Sequence, residues 1–132
     1  MSGVRSTKVD VTTTGVAASA AGNTDSIVIN GRITKIALNY HADAPNTTDI
    51  TITITAGTNG GVAETIYAKA NTATDVVVYP RVVVCGSTGT AAGAGDDLYD
   101  CFACCGIVNI ALAQSDALTN AVSAVIFWEA DD

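Results

Sequence analysis

The chain has 132 residues, enough to bury a sizeable core in one domain and too few for a second. Acids outnumber bases thirteen to six, giving a net charge of −7, and the bases stand singly at Arg5, Lys8, Arg32, Lys35, Lys69 and Arg81. With no basic footprint to displace phosphate counterions, nucleic acid and anionic membrane surfaces are disfavoured as partners.

Val, Ile and Thr fill 44 positions, against four Leu, three Lys, two Glu and one Gln. β-Branched side chains sit well on a pleated surface and crowd a helix, so this composition predicts strands. Met1 to Val11 is polar and alternating and lacks the apolar run of a signal peptide. The nearly uncharged stretch Cys101 to Ala113 is shorter than the roughly 20 residues a spanning helix needs. The expectation is a protein made in a cytoplasm.

Lys8 to Thr12 alternates like a strand, and the rest of residues 1–24, rich in Thr, Ser, Ala and Gly, reads as an extended arm. Residues 25–132 read as a single β domain. Ser26 to Ile29 forms a short strand, and Asn30-Gly31 signals a two-residue hairpin turn. Arg32 to His41 follows with Ile36, Leu38 and Tyr40 on one face; Ile33 is out of phase with them, which predicts a bulge near Thr34. Ala44-Pro45-Asn46 breaks the chain before Asp49 to Thr55, where Ile50, Ile52 and Ile54 alternate with Thr and point inward.

Thr58 to Gly61 is a turn, Glu64 to Lys69 a strand, and Asp75 to Val84 a strand interrupted by Pro80. A Gly-rich loop covers Gly86 to Asp97. Gly106 to Ala113 and Ala121 to Glu129 close the chain as strands, with Val108, Ile110 and Leu112, then Val122, Ala124, Ile126 and Trp128, sharing faces. Ala-Leu-Ala-Gln and Asp-Ala-Leu-Thr-Asn-Ala have some helical character, so a short helical turn fits within Gln114 to Thr119. Seven to nine short strands at regular spacing predict an all-β fold: an antiparallel β-sandwich, or a jelly-roll-like one, with an extended N-terminal arm.

Three stretches carry a family likeness: Gly31 to Tyr40 running through Pro45 and Thr47-Thr48-Asp49-Ile50-Thr51-Ile52; Tyr79-Pro80-Arg81; and the alternating Val122 to Trp128. From about Asp25 onward the chain resembles the small β-rich structural proteins of tailed-bacteriophage heads, among them capsid decoration and cement proteins. The resemblance implies a non-catalytic virion protein on the capsid exterior. It implies docking on the major capsid protein as a symmetric homo-oligomer, a trimer being the preferred form, with no cofactor. Two other readings stand beside it: a carbohydrate- or receptor-binding module, for which seven aromatics leave few to spare, and a self-assembling filament or surface-layer subunit.

Of the candidate sites, Cys85, Cys101, Cys104 and Cys105 allow three readings. They rank as small buried thiols first, a disulfide of Cys85 with one of the cluster (Cys101 the named partner) second, and a metal site third, since Cys-x-x-Cys lacks a second ligand pair. Asp96, Asp97 and Asp100 lack the oxygen spacing and closing Glu of a calcium loop and read as a solvated turn. His41 has no nucleophile in an elbow context, Glu64 and Glu129 read as strand-end charges, and Gly86 to Gly95 lacks the Lys-Ser/Thr ending of a phosphate loop. Asn46-Thr47-Thr48 is a chance match to a glycosylation triplet. Tyr79-Pro80-Arg81 is the one surface feature singled out, with interface duty and strand-end packing equally weighted.

Overall fold

The computed structural model describes residues 3–83 and 99–130. They form eight strands: β1 (Gly3–Val11), β2 (Ala20–Tyr40), β3 (Asp49–Ile54), β4 (Glu64–Lys69), β5 (Val76–Val78), β6 (Arg81–Val83), β7 (Tyr99–Ser115) and β8 (Val122–Ala130). A single 3-10 turn at Ala56–Thr58 is the only helical piece among the described residues. All pairings are antiparallel, in the order β1-β8-β2-β7-β3-β4, with β5 beside β2 and β6 beside β7. The fold is therefore all-β and sandwich-like. One layer contains β1, β8, the second half of β2 and β5; the other contains the first half of β2, β7, β3 and β4.

Period-two alternation builds the core. Ile50, Ile52 and Ile54 on β3 are buried, as are Val108, Ile110 and Leu112 on β7 and Val122, Ala124, Ile126 and Trp128 on β8, all in one cluster. Each such aliphatic side chain contributes about 1.5–3 kcal/mol through its removal from water. The expected pause at Pro80 separates β5 from β6, and Pro80 itself is buried.

The bulge expected near Thr34 is present as a register shift between Ile33 and Lys35 against β8. It changes which parity faces inward: Ile29 and Ile33 before it, Ile36, Leu38 and Tyr40 after it, all buried. A second shift, between Asp25 and Val28, turns Ser26 inward, where its hydroxyl accepts from the Val108 N–H at 3.0 Å.

Three expectations are corrected. Asn30-Gly31 is not a hairpin turn, because β2 runs through it and pairs Gly31 with Cys104 on one side and Ala130 on the other. Gly31 is required for a different reason: its φ is +146°, and a β-carbon there would collide with the Glu129 carbonyl. The stretch read as an extended arm is built into the sheet, since Gly3–Val11 pairs with β8 along its whole length and Val9 and Val11 enter the core. Its far end is fixed too, by the Thr13 N–H donating to the Leu118 carbonyl at 3.0 Å. Finally, Gln114 to Thr119 has no helical turn; Gln114 adopts φ +56° and the chain passes directly into a tight turn before β8.

Two outcomes follow. Gly31→Ala should lower stability by about 2 kcal/mol or more, through backbone strain and displacement of β8, measured by urea denaturation. The Tyr40 hydroxyl is buried without a hydrogen-bond partner, and burial, with Tyr67 nearby, pushes its pKa up to about 12. A raised phenol pKa stabilises the fold fully below the unfolded value of 10.0, and that contribution is lost as pH rises through about 12. Melts across this range should steepen for the native chain and be flatter for Tyr40→Phe; identical slopes would contradict the assignment.

Candidate interaction surface

The outward residues of the first layer follow from its registers. One row reads Lys8, Val125, Ala37 and Val77 across β1, β8, β2 and β5, and the next reads Ser6, Phe127 and Lys35. Val125, Ala37 and Phe127 are half-buried, and Val77 is exposed. The Lys35 ammonium lies over the Phe127 ring, 4.7 Å from its centroid. Lys8 faces Asp10 at 3.7 Å, and Glu129 is exposed further along β8. This face therefore has an apolar centre with charges of both signs around it, Lys8 and Lys35 beside Asp10 and Glu129.

Tyr79-Pro80-Arg81 borders the same face. Here the chain stops pairing with β2 and begins to pair with β7. Pro80 cannot donate to a ladder and marks that change. The Arg81 guanidinium donates to the Thr34 carbonyl at 3.0 Å and to the Pro80 carbonyl at 2.7 Å, and lies 5.9 Å from the centroid of the Tyr79 ring. Tyr79 is 61% exposed. Pro80 and Arg81 pack the strand end, and Tyr79 leaves its aromatic ring exposed.

The outward side of the second layer is different. Its rows read Asn23, Ala111, Thr51, Ala68 and Asp25, Asn109, Thr53, Thr65. Asn109 donates to Asn23 at 3.0 Å and to Asp25 at 2.9 Å. It is a surface of small polar groups that carries Asp25 and, at the start of β3, Asp49. At its edge, the bulge in β2 leaves Ile27 and Val28 exposed.

The remaining candidates are dispersed. Cys104 points into the core and burial pushes its thiol pKa up; Cys105 alternates to the exposed side, Cys101 is half-buried, and all three are free thiols. Cys85, Asp96, Asp97 and the Gly-rich loop lie outside the described residues. Asp100 accepts from the Cys101 N–H at 2.7 Å and is ion-paired with Arg32; together these contacts hold its carboxyl below the usual range, and the same pair raises the Arg32 pKa. Among the described residues no group of three or more His, Cys, Asp or Glu side chains is arranged for a metal ion.

His41 accepts the Asp43 N–H at 3.0 Å and braces a turn. Glu64 opens β4 and Glu129 lies near the end of β8, both at strand ends. Thr48 of the glycosylation-like triplet is buried and donates to the Pro45 carbonyl at 2.7 Å. A cleft of about 400 Å³ is lined by Asn30, Arg32, Asn59, Ala103 and Cys105, and the Arg32 guanidinium there is paired with Asp100.

The tripeptide was legible in the sequence, but the Phe127–Lys35 face was not. A signal for it was present: Val125 and Phe127 make β8 apolar at both parities, the pattern of a strand to be covered on both sides. No family model, curated protein or solved structure matches the chain.

Arg81→Ala should cost about 1 kcal/mol, the worth of a hydrogen bond to a carbonyl that is otherwise left to water. Tyr79→Ser should change stability by less than about 0.5 kcal/mol, as expected of an exposed residue. Urea denaturation of both variants separates the packing role from the surface role.

Proposed function

We propose that the chain is a non-catalytic structural subunit that decorates or cements a viral capsid from outside, with the major capsid protein as its partner. The observation that carries this reading is the contrast between the two outer faces. A face with Phe127, Val125, Ala37 and Val77 at its centre and Tyr79 exposed at its border has the apolar and aromatic character of an interface core. The opposite face, of Thr, Asn and Ala, is suited to solvent.

The family resemblance of Gly31 to Ile52, Tyr79 to Arg81 and Val122 to Trp128 supplies the capsid. An acidic protein is readily accommodated outside a shell, whereas one lining its inner wall would repel the packaged genome. In this reading the Phe127–Val125 face is buried within a multi-copy layer, so many modest contacts add to a firm hold.

The test mixes purified protein with shells that lack it and follows occupancy and the temperature at which particles break. Wild-type protein should bind to saturation and raise that temperature. Tyr79→Ser combined with Phe127→Ser should bind at least about tenfold more weakly, a loss expected when aromatic anchors leave an interface. Failure of the wild-type protein to bind any such shell would refute the capsid reading.

A further inference from the structure

Strand β7 has an uncovered edge. Within a strand, one residue points its N–H and C=O to one side and the next residue to the other. The Val108 N–H donates to the Ser26 hydroxyl on the β2 side at 3.0 Å. Ile107 faces the other way: its carbonyl accepts from the Thr55 N–H at 2.9 Å, and its N–H donates to the Thr58 hydroxyl at 2.9 Å. Cys105, Ala103 and Cys101 share the direction of Ile107, but β3 has ended at Ile54, opposite Val108. β6 joins β7 on the β2 side, where Arg81 reaches the Thr34 carbonyl. Among the described residues no strand covers Ala103 or Cys105 on this edge. The Cys101 N–H is held by the Asp100 carboxylate at 2.7 Å.

The same edge carries a knob and a hole. Phe102 and Cys104 are buried, so Tyr99, Cys101, Ala103 and Cys105 alternate onto the outward face. Tyr99 is 58% exposed. The cleft lined by Asn30, Asn59 and Cys105 lies at the far end of that row.

We propose that two copies of this chain join edge to edge, β7 antiparallel to β7, about a two-fold axis at Phe102. This register sets Tyr99 of each copy opposite Cys105 of the other, and Cys101 opposite Ala103. The N–H and C=O groups of Ala103 and Cys105 gain backbone partners, and the Cys101 N–H exchanges the Asp100 carboxylate for a carbonyl. Asp100 keeps its ion pair with Arg32. Each Tyr99 ring seats in the cleft of the other copy. Edge hydrogen bonds would serve any extended segment, whereas the aromatic at the matching position is the chain's own, and this selects a second copy as the occupant.

The register is bounded in both directions. An axis at Ala103 would bring Tyr99 onto Ile107, whose groups Thr55 and Thr58 already hold. An axis at Cys101 would set Tyr99 opposite Ala103 and leave Cys105 and its cleft uncovered. The contact is isologous and closes at two copies, in place of the trimer that the resemblance implies. It uses the second layer and leaves the Phe127–Val125 face free, so it stands apart from the capsid reading.

Sedimentation equilibrium of the full chain under reducing conditions should show a monomer–dimer equilibrium. Tyr99→Ser, at an exposed position that leaves the fold intact, should weaken the dimer at least about tenfold, as the loss of an aromatic anchor does. Tyr99→Cys fixes the register. It places a thiol opposite Cys105 of the second copy, where the α-carbons of a hydrogen-bonded antiparallel pair lie about 5.5 Å apart, within reach of a disulfide. Mild oxidation should link that variant into a dimer through positions 99 and 105, mapped by peptide mass, and adding Cys105→Ser should abolish the link. A wild-type protein that stays monomeric across the concentration series, or a Tyr99→Ser variant that dimerises as well as wild type, would overturn the proposal. So would a wild-type link between Cys101 and Cys105 of two copies, which requires the axis at Ala103, or a Tyr99→Cys variant that forms no link through position 105.

Discussion

Strand β2 must satisfy two sets of partners: β7 over Ala20–Ile33 and β8 over Gly31–Tyr40, with Gly31–Ile33 paired on both sides at once. At that crossing the backbones of β2 and β8 approach so closely that Gly31 has no room for a β-carbon. One residue later β7 has left β2 and β5 has not yet joined it, which strands the Thr34 carbonyl at the bulge. Arg81 donates to it. The guanidinium gives this carbonyl a protein partner in place of water and so braces the junction between the layers.

The bulge has a further consequence. By shifting inward parity from odd to even residues, it allows one continuous strand to line the core of both layers. It also places Lys35 on the outside directly opposite Phe127. The residue that repairs the bulge carries Tyr79 beside it, through a buried Pro80. Packing at the crossing and the chemistry of the outer face therefore arise from the same few residues, and disturbing the crossing would misplace the face.

Much of this fold was legible in the sequence because period two is a local signal. Ile50, Ile52 and Ile54, the strand Glu64–Lys69 and the inward set on β8 were readable for that reason. The Thr34 bulge was readable too, since a phase error between Ile33 and Ile36 is visible in the letters alone. Asn30-Gly31 was misread because a glycine chosen for close approach and one chosen for a hairpin look identical locally; only the distant Glu129 distinguishes them. The same holds for the N-terminus, whose Thr and Ser residues give no hint that β8 offers nine residues of pairing. Non-local hydrogen bonding decided both cases.

The outer apolar face was harder to read than the core, for a physical reason. Catalysis and metal binding demand particular side chains at particular spacings, which leave motifs. A docking face demands only apolar area, a few positioned charges and a rigid support, which ordinary strand residues provide. Val125 and Phe127 satisfy the strand preference of β8, so the apolar patch they form becomes visible only when Ala37, Lys35 and Val77 are brought alongside by register. Tyr79-Pro80-Arg81 stood out because Pro breaks a ladder and so cannot be explained by strand propensity. In these strands, the residues that violate their own element are the ones a sequence exposes, and those that obey it wait for the fold.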